Sequence, residues 1–129
     1  MNTFRKPSVV GLALVATAAV VTLMVVGCPS GEKAGPNEVF MRNIAFDPAE
    51  ITSAVGESVT WTNMDFIIPH TATSGNPGDA DLGSVFRSVL LSQGQTFTHT
   101  FDEAGEFIYF CEVHPVMMRD AKVIVQAAE

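Results

Sequence analysis

At 129 residues the chain has room for one domain and a short targeting segment. Fourteen acidic side chains against seven basic ones give a formal charge of −7. That balance excludes the basic surface that nucleic acid phosphates require, while an acidic face can still steer a basic protein partner.

In chain order, the first predicted element is a leader. Arg5 and Lys6 precede the uncharged apolar run "PSVVGLALVATAAVVTLMVVG", the layout of a secretory signal peptide over residues 1–27. The run is almost long enough to span a bilayer, so an uncleaved N-terminal anchor is the alternative, with soluble secretion a third. "VVGC" at 25–28 resembles the bacterial lipoprotein signal, in which cleavage precedes a Cys that is then lipidated, although Val25 stands where Leu is commonest. All three readings place the domain outside the cytoplasm, in the periplasm or at the cell surface, and the first two hold it at a membrane.

Residues 28–37, with "PSGEKAGPN", read as a tether, and the folded domain is expected over 38–129. Removal of residues 1–27 takes Arg5 and Lys6 and no acids, leaving a domain charge of about −9. The two cysteines, Cys28 and Cys111, invite a disulfide in an exported chain. If Cys28 carries lipid, Cys111 is a lone thiol in an oxidising compartment and needs either protection or a use.

From residue 38 the pattern is β. "EVFMRNIAF" and "AEITSAV" are short runs rich in β-branched and aromatic residues, and "ESVTWTN" puts Val59, Trp61 and Asn63 on one face. Four more runs are expected as strands: "SVFRSVLL" (84–91), "QTFTHTF" (95–101), "GEFIYFC" (105–111) and "AKVIVQ" (121–126). Turn signals at 92–94 and 102–105 give the spacing of an all-β sandwich or barrel. Asp79 and Asp81, in the loop "TSGNPGDADLGS", are solvated charges rather than calcium ligands, because too few oxygens stand at regular spacing. Trp61 is expected in the core, and His99, which alternates with Phe97 and Phe101 away from any Cys or Met, as a partly buried strand residue.

"CEVHPVMM" (111–118) falls in the loop between the last two predicted strands. Thiolate, thioether and imidazole together select copper among common metals, and Cys with two His and a weak axial Met makes an electron-transfer site. The loop offers Cys111, His114 and a Met; the second imidazole must come from elsewhere, and "IIPHT" (67–71) offers His70.

Over residues 38–126 the chain resembles the cupredoxins, the small blue copper proteins, in their plastocyanin and amicyanin branch. The stretches that carry the resemblance are "IAFDPAEITSAVGESVTWTN", "PHT" and "FTHTFDEAGEFIYFCEVHPVM". It implies a Greek-key β-sandwich of about eight strands with one copper ion near one end, held by His70, Cys111, His114 and Met117. The Cys-x-x-His-x-x-Met spacing is the short amicyanin type and favours Met117 on the axis over Met118, since neighbours on an extended strand face opposite ways. Two departures stand out. Many relatives have Gly shortly after the axial Met, where this chain has Met-Arg-Asp, so a differently shaped loop exit is expected. Relatives have Pro where this chain has Val113, whose N–H is a candidate donor to the Cys111 sulfur beside that of Thr71.

The resemblance implies a one-electron carrier rather than an enzyme, for all four ligands come from the protein and no open position remains for a substrate. It also implies a monomer that docks redox protein partners near His114, through an apolar patch for which Ile67, Pro69, Pro115 and Val116 are candidates. Phe110, and Ile108 on the same face, are expected to pack beneath the neighbouring sheet rather than to form a second docking surface. The rival readings are a copper storage or delivery protein, a thiol enzyme built on Cys111 and His114, and a plain adhesion sandwich bridged from Cys28 to Cys111. The enzyme lacks an oxyanion hole or an orienting third residue; the sandwich leaves His70, His114 and Met117 unexplained.

Overall fold

A computed structural model describes residues 31–128, so the leader and Cys28 lie outside the described residues. Eight strands form in chain order: β1 (Glu38–Met41), β2 (Phe46–Asp47), β3 (Glu50–Ala54), β4 (Ser58–Asn63), β5 (Thr73–Ser74), β6 (Thr96–Thr100), β7 (Gly105–Phe110) and β8 (Ala121–Gln126). They make two four-stranded sheets, ordered β2-β1-β4-β6 and β3-β8-β7-β5. β1 runs parallel to β4 and β3 parallel to β8, while the other pairs are antiparallel. This is the expected all-β sandwich.

Period-two alternation decides which face each strand buries. In β4, Val59, Trp61 and Asn63 are wholly buried while Ser58, Thr60 and Thr62 point outward. On that outer face Ser58 meets Thr100 at 2.6 Å and Thr60 meets Thr98 at 2.9 Å, a cross-strand hydroxyl ladder worth a few tenths of a kcal/mol per pair, roughly. Val123 and Val125 of β8 alternate in the same way into the shared core, and Val39 and Met41 of β1 join it, with Phe40 between them buried as well. Trp61 lies at its centre, with ring centroids 5.0 Å from Phe86 and 5.4 Å from Tyr109. Each large apolar side chain so buried contributes about 1.5–3 kcal/mol.

Three expectations are corrected. "EVFMRNIAF" is a hairpin rather than one strand: Arg42 and Ala45 exchange backbone hydrogen bonds of 3.0 and 3.1 Å around Asn43 and Ile44, both at φ 54°. Positive φ at both central residues matches the twist of a two-residue hairpin. The run 84–91 is no strand; it makes only isolated bridges, Thr73 to Arg87 and His70 to Leu91, yet it sends Phe86 into the core. Part of the expected tether is also fastened to the domain, since Glu32 O accepts from the Arg42 guanidinium at 2.7 Å and Asn37 O accepts from Thr60 N at 2.9 Å.

His99 lies between Phe86 and Phe101, at centroid distances of 5.3 and 4.8 Å. Burial lowers its pKa below the ordinary 6.5, with Asp102 opposing. The unfolded chain therefore binds a proton that the folded chain resists. Stability is full above the ordinary histidine value and declines as pH falls through it, until the folded ring also protonates. Urea midpoints near pH 8 and near pH 5 should differ less in His99→Gln than in the native chain.

Candidate metal centre

Asn63, the last residue of β4 and wholly buried, organises the loop that follows. Its amide donates to Ile68 O and Leu91 O, both at 2.8 Å, and its Oδ1 accepts from Asp65 N at 2.8 Å. His70 exchanges backbone hydrogen bonds of 3.1 and 2.8 Å with Leu91, which pins it on its other side. The His70 ring is wholly buried, and its Nε2 donates to Asp65 Oδ2 at 2.7 Å. A carboxylate in that position places the ring proton on Nε2 and leaves Nδ1 free to bind a metal.

Asp65 does more than orient this ring. The amides of Asn43 and Ile44, the two left-handed residues of the first hairpin, donate to its carboxylate at 2.7 and 3.2 Å. Burial pushes the Asp65 carboxyl upward, but the hydrogen bonds from His70, Asn43 and Ile44 outweigh it, and its pKa lies below the ordinary value. Position 65 escaped the sequence analysis; its only signal is an acid a few residues before a candidate ligand.

Cys111 leaves β7 wholly buried, and it is a free thiol. Its Sγ lies 3.8 Å from His70 Nδ1 and 3.7 Å from His114 Nδ1. The three donor atoms fall within 4.8 Å of one another, and the imidazoles present the same nitrogen to the thiol. Burial, helped by His70 and opposed by Asp65, lowers the His114 pKa, which keeps that ring in the neutral form that binds a metal. A thiol and two imidazoles, with a methionine thioether in the same loop, form a soft donor set that fits copper.

The choice between methionines differs from expectation. Met117 is 66% exposed, whereas Met118 is 1% exposed and belongs to the buried cluster that includes Cys111. The segment is not an extended strand but a turn, with Met118 N donating to His114 O at 2.9 Å and Met117 N at 3.2 Å. One helical turn returns residue 118 to the side of His114, so strand alternation was the wrong rule here. The Cys111 amide also donates to Met118 O at 2.8 Å, tying the two ends of the loop together. Two residues on, Asp120 takes φ 61°, a left-handed conformation that Gly adopts freely and Asp tolerates. The loop exit, expected to be differently shaped, thus turns at Asp120.

The sulfur's donors also differ from the expected pair. Thr71 N donates to Sγ at 3.3 Å and Thr71 Oγ1 at 3.8 Å, while Val113 makes no such bond. Around the site stand exposed apolar side chains: Phe66, Ile67 and Leu90 on the His70 side, Val113, Val116 and Met117 in the His114 loop. Phe110 is buried, as expected, whereas Ile108, expected to pack with it, is exposed.

The sequence model for copper binding proteins of the plastocyanin/azurin family matches residues 35–126. The chloroplastic plastocyanin of Tetradesmus obliquus is 37% identical over 64% of this chain and 59% of its own length. The amicyanin of Paracoccus versutus is 37% identical over 60% of this chain and 54% of its own. The chain thus spans little more than half the length of either relative. A purple cupredoxin from Nitrosopumilus maritimus superposes with a TM-score of 0.58 at 28% identity, covering 69% of this chain and 98% of the other. With a family match across almost all the described residues and a buried thiol set between two imidazoles, the chain belongs to the plastocyanin/azurin family of copper binding proteins.

Proposed function

We propose that the protein is a one-electron carrier whose copper ion is held by His70, Cys111, His114 and Met118. The observation that carries this reading is the convergence of three buried or half-buried soft donors within 4.8 Å. A bound copper ion supplies a Cu(II)/Cu(I) couple. The protein's part is to hold donors that suit both states, so that one electron is gained from a donor and lost to an acceptor with little rearrangement.

Asp65 fixes the His70 ring, and the backbone bonds among Cys111, His114 and Met118 fix the loop, so the donors are arranged before any ion arrives. With every donor supplied by the chain, the reading includes no substrate position and no catalysis. His114 is half-buried where His70, Cys111 and Met118 are buried, which makes it the ligand nearest to a docked partner. The apolar side chains flanking it form the docking surface, and the domain's negative charge steers basic partners toward it.

Outside the cytoplasm, lipidated Cys28 would tether this carrier to a membrane. Storage or delivery of copper is the less favoured reading, because those tasks call for exposed, exchangeable ligands, whereas Cys111 and His70 are wholly buried. The test is visible absorption and electron paramagnetic resonance of the full chain loaded with Cu(II). An intense thiolate-to-copper band that bleaches on reduction and returns on oxidation is expected. A colourless protein, or one that surrenders its copper to a weak chelator, overturns the reading.

A further inference from the structure

A hydroxyl group carries one proton and two acceptor lone pairs. One lone pair of the Thr71 hydroxyl is taken by the Glu112 amide, which donates to it at 2.8 Å, and the proton is turned toward Cys111 Sγ at 3.8 Å. The Thr71 amide also reaches that sulfur, at 3.3 Å.

Glu112 is itself held by its side chain. Arg87 Nε donates to Oε1 at 2.8 Å and Arg87 Nη2 to Oε2 at 2.6 Å, a two-pronged pairing, and the wholly buried Thr73 hydroxyl donates to Oε1 at 2.6 Å. Arg87 is placed for this by its backbone bridge to Thr73. A continuous chain of contacts thus runs from a surface guanidinium, 56% exposed, through Glu112 and Thr71 to the sulfur. Neither Arg87, Glu112 nor Thr73 is a candidate ligand.

We infer that the Arg87–Glu112 pair, which holds no candidate ligand, is a positioning pair that keeps the Thr71 hydroxyl aimed at the Cys111 sulfur and so sets from the surface how strongly that bond tunes the site; the inference rests on the copper reading above. Hydrogen bonds withdraw electron density from a thiolate, which favours the reduced ion and lowers the sulfur orbital energy. Glu112 follows Cys111 directly, so whatever fixes Glu112 also fixes the sulfur against its donors.

The test uses the full chain loaded with copper and reads two quantities, the reduction potential and the energy of the thiolate-to-copper band. Thr71→Val keeps the shape and the amide but removes the hydroxyl; its potential should fall and its band move to lower energy. Thr71→Ser should recover both values. Arg87→Met, a surface change that leaves Thr71 in place, should shift both in the same direction by less, and it keeps the test open if Thr71→Val fails to fold. A native protein with a reversible band whose Thr71→Val or Arg87→Met forms match it in both quantities overturns the inference alone. A native protein without the band overturns the copper reading and the inference with it.

Discussion

Met118→Ala lowers the unfolding free energy of the metal-free protein by about 2–5 kcal/mol, whereas Met117→Ala changes it by less than about 0.5 kcal/mol. The contrast follows from burial: Met118 is 1% exposed within the core cluster, and Met117 is 66% exposed on the outside of the same turn. Removing a buried side chain of that size forfeits its transfer free energy and leaves a cavity that the neighbouring chains fill only in part. Guanidinium unfolding of both variants without copper checks the point. In the copper-loaded protein Met118→Leu preserves core volume while deleting the thioether, and the reduction potential should rise, because a donor that favours the oxidised ion is gone. Equal behaviour of the two methionines, or a larger effect at Met117, would return the axial assignment to the position that spacing alone suggests.

Asp65→Ala should weaken copper affinity by 10- to 100-fold, the usual cost of losing the carboxylate behind a ligating histidine, roughly. Without the 2.7 Å bond to Asp65 Oδ2, the His70 ring keeps its place in the core but loses the partner that selects its tautomer. The same change strips an acceptor from the amides of Asn43 and Ile44. A loss of stability of about 1 kcal/mol per hydrogen bond should accompany the loss of affinity. Competition against a chelator of known strength reports the first effect, and thermal unfolding of the metal-free protein the second. Unchanged affinity would mean that the backbone bonds to Leu91 suffice to orient the ring.

Much of the fold was readable because so many strands bury one face. Val59, Trp61 and Asn63, or Val123 and Val125, announce their sheet by alternation, and the arrangement of a distant His with Cys-x-x-His announces the site. The misreadings share a cause: local pattern was asked to decide what longer-range contacts decide. The apolar run 84–91 looks like a strand, yet its bonds go to Ala72, Ser74 and His70 one at a time, so no ladder forms. The choice between two adjacent methionines was made by strand alternation where the backbone winds into a turn. Asp65 carries no motif at all and matters through the hairpin at 43–44, distant in the chain, while for Thr71 the amide was foreseen as a donor to Cys111 and the hydroxyl was not. Lipidation of Cys28 lies outside the described residues and stands as a proposal.

The hairpin at Asn43 and Ile44 has a consequence for how such a site is inherited. A β-branched residue at φ 54° costs on the order of 1–3 kcal/mol, and Ile44 holds that conformation while its amide is bound to Asp65. Glycine at 44 would relieve the turn and release Asp65 from one of its two duties. With isoleucine there, a mutation at 65 disturbs the hairpin and the histidine together. Positions 44 and 65 are therefore energetically coupled, and the order of substitutions matters: relief of the turn first lessens what a change at the carboxylate then costs the hairpin.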